Sequence, residues 1–488
     1  MTISMNSIPS NARVPLVYIE FDNSRAVMGT PGIEHKILVI GQRLATGAVA
    51  EGVPTRITSA DQAEQAFGRG SMLAEMFAGL KQANRYTESW AIALDEAAAG
   101  NAATGTLTIT GPATASGTLN LYIGGKRIRV GITSGDDSNT IAAAINAAVN
   151  ADTSLPVTAG VVAGVVTLTS RWKGETGNDI DLRLNYYQGE STPTGVAVAI
   201  VAMTGGSANP DIATAIAAMG DEWWNSIICP YTDAANLTAL ETELADRWGP
   251  TRMIDGIAYS AFKGTHSETG TFGNTRNSNL LSVMGVGASP TPPWIWASVN
   301  AAVAASSLSI DPARPLQTLP LTGILPPVVE DRWTMEERNL ILYDGIASYT
   351  VDSGGRVLIE RQITTYQENA YGVADPSYLD VTTPATLSYL RYATRARITQ
   401  KFPRHKLADD GTRFGRGQAI VTPSVIRAEL LALFRELEEK GLVENFDQYK
   451  TDLLVERNAD DRNRVDVLSS PDLVNQFRVF ANQIQFIV

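Results

Sequence analysis

The chain of 488 residues contains a single cysteine, Cys229, and only three histidines, His35, His266 and His405. One thiol excludes an internal disulfide framework and a thiolate metal cluster, and three scattered histidines do not compose a histidine-rich metal site. Charge is scarce as well. Charged residues make up 18% of the chain, below the ~25% usual for globular domains. The formal charge of −12 argues against general binding to nucleic acid or to an anionic membrane surface. Long apolar runs are missing: the longest uncharged stretch, Asn277 to Ile310, is broken by three prolines and by Ser298, Asn300, Ser306 and Ser307. A membrane span needs about 20 predominantly apolar residues, which this stretch does not supply. The first ten residues have neither the basic nor the apolar region of a secretory signal. These absences predict a soluble protein that starts life in a reducing compartment.

What is present suffices for several cores. Hydrophobic residues account for 44% of the chain, and its length exceeds the ~250–300 residues at which one core stops growing. Lys36–Gly41 and Trp90–Leu94 read as buried strands around a helical stretch over Ser59–Gln82, with Ser71 as a cap. This alternation is an α/β signature. From Asn101 to about Gly205 the chain turns to Thr, Gly, Ala and Val with period-two alternation, as in Thr106–Thr110, Leu119–Ile123, Arg127–Val130, Val165–Thr169 and Asp181–Leu184, around one helix at Thr140–Val149. After Gly206 the α/β pattern resumes. The expected organisation is an N-terminal arm and strand over 1–24, a discontinuous α/β core over 25–100 and 206–355, an inserted outer β domain over 101–205, and a C-terminal inner α+β domain over 356–488. Gly/Ala-rich joints bound the insertion, so it is expected to be removable.

Catalytic motifs are sought without success. Gly124-Gly125-Lys126 lacks the earlier glycine of a phosphate-binding loop, and neither HExxH nor GxSxG occurs. Ser260-Ala-Phe-Lys263 matches SxxK, a pattern short enough to arise by chance, without its companion motifs. Asp352-Ser353-Gly354 resembles the acid motif of subtilisin-type proteases, but the matching His and Ser motifs are absent, and Gly264-Thr265-His266 lies upstream of it. A hairpin turn between Tyr349–Val351 and Arg356–Ile359 explains Asp352 more simply. Cys229 reads as an inert core thiol, and Trp223-Trp224 as packing. No enzyme, no cofactor and no metal is expected.

A set of stretches distributed along the chain carries a family likeness: Ser7-Ile-Pro-Ser10, Val17-Tyr-Ile-Glu-Phe-Asp22, Thr108-Ile-Thr-Gly-Pro-Ala-Thr114, Arg247-Trp-Gly-Pro250, Asp311-Pro-Ala-Arg-Pro-Leu316, Ile363-Thr-Thr-Tyr-Gln367, Arg404-His-Lys-Leu-Ala-Asp-Asp-Gly411, Gly441-Leu-Val-Glu-Asn445 and Pro471-Asp-Leu-Val-Asn-Gln-Phe477. In order and spacing they resemble the contractile-tail sheath proteins of Mu-type bacteriophages. The resemblance implies a subtilisin-like α/β core without protease activity, with an inserted mostly-β domain and an α+β C-terminal domain. It implies a helical homo-oligomer around an inner tail tube protein, in contact with baseplate and tail-terminator proteins, whose contraction drives the tube through a target envelope. Such a protein belongs to the virion tail and is assembled in the host bacterial cytoplasm, without nucleic-acid binding or membrane insertion of its own. On the residues alone, a non-contractile β-rich adhesin or capsid-decoration protein is the alternative.

Two surfaces are expected to assemble the polymer. Val17, Ile19 and Phe21 near one end, and Ile484, Phe486 and Val488 near the other, alternate as strands with an apolar face, expected to pair with neighbouring subunits. Residues 391–427 hold nine cations, among them Arg391, Arg395, Arg397, Lys401, Arg404 and Lys406, against two anions. Residues 429–472 hold twelve anions against six cations. Opposite blocks suggest complementary faces between subunits or against the tube; mutual neutralisation inside one subunit is the bland alternative.

Overall fold

The computed structural model describes residues 32–415 and 417–487. The expected strand carrying Val17, Ile19 and Phe21 lies outside the described residues, as does Val488. The first core elements are strands β1 (Lys36–Gln42) and β2 (Thr55–Arg56), helices α1 (Ala60–Phe67) and α2 (Met72–Ala83), and strand β3 (Glu88–Leu94). The helical stretch is thus two helices, each started by a serine whose side chain accepts a backbone N–H: Ser59 from Gln62 and Ser71 from Ala74. Between them Gly68 and Gly70 adopt φ of 91° and 77°. A Cβ on Gly70 would lie 2.6 Å from the Thr153 carbonyl, so only glycine turns the chain there.

The β-rich stretch follows as β4 (Ala102–Thr110), β5 (Gly117–Ile123), β6 (Lys126–Ile132), α3 (Ser138–Ala151), β7 (Val157–Val162), β8 (Val165–Lys173), β9 (Leu182–Leu184) and β10 (Ala197–Thr204). They make two antiparallel sheets, ordered β10-β4-β8-β7 and β6-β5-β9. The helix buries Ile141, Ile145 and Val149, its i, i+4, i+8 stripe. The sequence reading missed β7 and β10, because β7 has alanine and glycine at its centre and neither strand buries a regular face.

The core then resumes with α4 (Ala213–Met219), β11 (Ser226–Ile228), α5 (Ala234–Trp248), β12 (Ile257–Phe262), α6 (His266–Gly273), β13 (Leu281–Gly285) and α7 (Pro293–Ile310). One six-stranded sheet, ordered β13-β12-β11-β1-β3-β2, unites both halves, and all its strands but β2 run parallel. Such strands are buried on both faces and show no alternation. That is why β13, five buried residues in a row, escaped the sequence reading. Helix α7 is apolar nearly all round and packs against α2 and the sheet, with Trp294 and Trp296 fully buried.

Helix α8 (Met335–Tyr343) precedes the hairpin β14 (Ser348–Val351) and β15 (Val357–Arg361). A boundary at 356 would cut this hairpin; the chain instead divides by compactness into one unit of 34–388 with 476–487, and another that includes 389–475. The division falls within α9 (Thr382–Lys401). The second unit continues with β16 (Lys406–Leu407), β17 (Ile420–Val421), α10 (Pro423–Glu439), β18 (Val443–Glu444), α11 (Phe446–Asp452), β19 (Leu454–Arg457), β20 (Val465–Leu468) and β21 (Asp472–Leu473). Among the described residues the expected strand at 483–488 is not formed: residues 474–487 carry no regular structure, and no described strand pairs with them.

The β-rich insertion does not sit loosely on the core. Glu75 of α2, its side chain 3% exposed, accepts from Lys126 Nζ of β6 at 2.9 Å and from Trp294 Nε1 of α7 at 3.0 Å. Trp172 of β8 stands edge-on to Trp294, with ring centroids 5.4 Å apart. Lys263 Nζ donates to the Asp179 carbonyl at 2.8 Å, Arg183 to the Ala288 carbonyl at 3.0 Å and the Tyr186 hydroxyl to the Pro326 carbonyl at 2.8 Å. This seam counts against the expectation that the insertion is removable: excision would strand the buried Glu75 carboxylate and the Trp294 indole.

The seam also titrates. Burial pushes the Asp179 carboxyl up to about 6, against the pull of Lys263 and with help from Glu175. A raised acid contributes stability that is present below its ordinary value and lost as pH rises through the folded value. Burial also lowers His35 to about 4, and its contribution is lost in the other direction, as pH falls from 6.5. The two oppose each other, so the wild-type profile is muted. Asp179→Asn should remove a loss of about 1–2 kcal/mol between pH ~4 and ~6. Urea unfolding at pH 4, 5, 6 and 7 checks it; parallel profiles for the two proteins would refute it.

Candidate assembly interface

The place where a doubly wound sheet holds a ligand is filled by the chain itself. From β1 the sheet grows one way to β3 and then the other way to β11, so the switch point lies beyond the carboxyl ends of β1 and β11. Ligands of such sheets bind in that crevice. Here Gln42, fully buried, donates to the Lys173 carbonyl at 2.7 Å. Asn209 accepts the Glu175 N–H at 2.8 Å and donates to Asp233 at 2.9 Å. The end of β8 and the turn after it occupy the crevice.

The catalytic-looking residues are all committed to backbone partners. Ser260 Oγ donates to the Cys229 carbonyl at 2.8 Å, while Lys263 reaches Asp179, so the SxxK pair is not a pair. His266 Nε2 lies 2.9 Å from the Glu337 carbonyl. Asp352 accepts the Gly354 and Arg356 N–H groups at 2.9 and 2.8 Å and closes the β14–β15 turn. Burial pushes the Cys229 thiol up to about 12, the reverse of an activated nucleophile. Trp223 and Trp224 donate to the Asp255 and Met219 carbonyls, as packing residues do.

The features open to a partner are a segment, a hairpin and a basic patch. The segment 476–487 is anchored at its start: Gln476 donates to Thr382, Arg478 pairs with Asp380, and Gln317 donates to the Phe477 carbonyl at 3.4 Å. Beyond these anchors Phe480, Ile484 and Phe486 are 77%, 78% and 81% exposed, and Val479 and Ile487 are exposed with them. Soluble surfaces rarely show so many large apolar side chains together unless a partner covers them. Of the terminal residues expected to pair, Ile484 and Phe486 are exposed and without a strand partner among the described residues.

The hairpin β19–β20 is a two-stranded sheet whose outer edges bind no other strand among the described residues. Leu454 and Leu468 face each other across it and both are exposed; the adjacent pair on the same face, Glu456 and Asp466, is anionic. Hairpins of two strands are marginal alone, and open edges invite pairing. Sequence reasoning missed it, since Val-Glu-Arg and Val-Asp-Val runs are too short to register.

The basic block divides. Arg397 pairs with Glu429 and Glu436, and Lys401 pairs with Glu429, so α9 and α10 neutralise each other there. This corrects the expectation that Arg397 and Lys401 face outward to a partner. Arg391 is partly buried and also engaged. Lys406 is exposed and donates to Gln418 at 3.3 Å, while Arg395 and Arg404 are exposed with no ionic partner among the described residues.

Comparison with known proteins converges on one family. The phage tail sheath protein central domain matches residues 205–365, the phage tail sheath C-terminal domain residues 373–487, and the phage tail sheath protein beta-sandwich domain residues 98–208. The Mu-like prophage FluMu tail sheath protein of Haemophilus influenzae is 52% identical over 488 residues, the whole of both chains. Among solved structures, the sheath tail protein of Desulfitobacterium hafniense, 15% identical, covers 94% of this chain and 97% of its own with a TM-score of 0.50. That of Listeria innocua, 11% identical, covers 92% and 93% with a TM-score of 0.48. The chain belongs to the phage tail sheath protein family.

Proposed function

We propose that the protein is a non-catalytic subunit that polymerises as a helical sheath around an inner tube and contracts to drive the tube through an envelope. The observation that carries this reading is the anchored segment 476–487 with its uncovered apolar side chains. On the open edge of a neighbour's β19–β20 hairpin it would supply the missing strand, and backbone links of this kind join copies without fixing how their cores are oriented. A core of subtilisin-like topology whose ligand crevice is filled fits a structural role, with baseplate, terminator and tube proteins as partners in a virion tail assembled in the host cytoplasm. Negative-stain microscopy of the purified chain at high concentration tests it: tubes or rings of fixed width are expected, and monomers at every concentration would refute it.

The remaining basic patch suits the contact with the tube or with the next copy. A sleeve that must release needs contacts that are many and individually weak, about 0–1 kcal/mol each when exposed and screened by salt. Reversing Arg395, Arg404 and Lys406 to Glu should impair co-assembly with the tube protein and leave the melting temperature of the monomer within about 1 °C. Normal co-assembly, or a collapse of the monomer, would count against it.

A further inference from the structure

The outer face of the three-stranded sheet of the insertion carries polar residues in register. Asn120 of β5 stands opposite Arg129 of β6, and Tyr122 opposite Arg127. A loop over 186–195 folds across this face, held where Glu190 accepts from the Tyr122 hydroxyl and from Arg127, both at 2.8 Å, and from the Tyr187 N–H at 3.2 Å. At one end the loop closes down: a Cβ on Gly117 would lie 3.2 Å from Pro193. Between loop and sheet runs an open groove of about 520 Å³, within the ~300–1,000 Å³ of small-ligand sites.

The hydrogen-bonding capacity of this groove is unevenly used. Arg127 is neutralised by Glu190. Arg129, two residues along the same strand, is exposed and has no ion-pair or hydrogen-bond partner among the described residues, and the same holds for the Asn120 side-chain amide. Thr118 adds a hydroxyl to the same wall. A free planar guanidinium matches one carboxylate through two parallel N–H···O bonds. The amide and the hydroxyl match the donors and acceptors of a polyol, while the Glu190 oxygens are already taken by Tyr122, Arg127 and the Tyr187 N–H. Glu190 also disfavours a ligand bearing several negative charges, and a single free cation is too little for a nucleic-acid backbone.

We infer that this groove binds a carboxylated saccharide, a hexuronate unit of an acidic glycan, with Arg129 on the carboxylate and Asn120 on a ring hydroxyl. The site is complete in one copy and its occupancy does not require polymerisation. Trigalacturonic acid titrated into the monomer by calorimetry should bind with a Kd on the order of 1 mM, as suits an open polar groove. Arg129→Ala should weaken it at least tenfold. Arg129→Lys should recover only part, having lost the fork, and Asn120→Ala should weaken binding severalfold. Arg129 is exposed, so melting temperatures should match the wild type and separate lost binding from lost folding. No binding up to ~20 mM, equal binding of neutral maltotriose, equal or tighter binding of glucose 6-phosphate, or an unaffected Arg129→Ala protein would each overturn the assignment.

Discussion

Replacing Lys126 by Met is expected to destabilise the protein by about 2–4 kcal/mol and to lower its melting temperature by several degrees. The reason is the partner left behind. Glu75 is 3% exposed, and Lys126 Nζ, at 2.9 Å, is its counter-ion; the Trp294 indole N–H at 3.0 Å is a neutral donor that cannot replace the charge. Removing one member of a buried pair costs ~3–5 kcal/mol because the other stays buried and uncompensated. Lys126 is itself about a third exposed (36%), so water can reach part of the site, which sets the lower figure. The Lys126→Met/Glu75→Gln double variant should recover most of the loss, since a neutral amide in Glu75's place can still accept from Trp294. A cost below ~1 kcal/mol for the single variant, or strictly additive costs in the pair, would show that the seam is not held by charge. Urea unfolding of the four proteins reads both outcomes.

That seam was not legible in the sequence, and the reason is physical. Glu75 and Lys126 lie in different elements and each, taken alone, has the composition of a surface residue; only their meeting makes them costly. Short-range patterns fared better. Helix α5, for one, carries its signals locally: Asp233 caps it, and Leu237, Leu240 and Leu244 repeat at helical spacing. The insertion's strands β4, β5, β6 and β8 alternate and were found; its helix was found from Ile141, Ile145 and Val149. Helix α9 was read only as a basic stretch, because Thr, Arg and Tyr dilute its apolar positions and Pro384 stands in its first turn. The charge blocks were counted correctly, yet counting could not reveal that Arg397 and Lys401 turn toward Glu429 of the same chain. The exposed segment is half legible: the alternation of Ile484 and Phe486 signals a strand, but no strand among the described residues pairs with it.

Deleting residues 479–487 should therefore abolish polymerisation while leaving the monomer intact. The deletion begins after the anchors, so Gln476 keeps Thr382 and Arg478 keeps Asp380. The residues lost are solvent-exposed, and such changes usually shift stability by no more than about 0.5 kcal/mol. In an assembled neighbour the same side chains would each contribute about 1.5–3 kcal/mol on burial, beside the new backbone hydrogen bonds. The receiving edge can be broken separately. Leu454→Lys with Leu468→Lys puts a charge on each edge strand of the β19–β20 hairpin, where the apolar side chains of an added strand would have to lie beside it, the device natural edges use against pairing. Both lesions should give folded monomers that form no tubes by microscopy and no fast-sedimenting species. If strand exchange joins the copies, neither lesion alone should be rescued by higher protein concentration, whereas equimolar mixing of the two should yield at most capped dimers, an intact donor seated on an intact edge. Tubes of normal width from either variant would remove the strand exchange and leave the surface charges as the remaining candidate for what joins the copies.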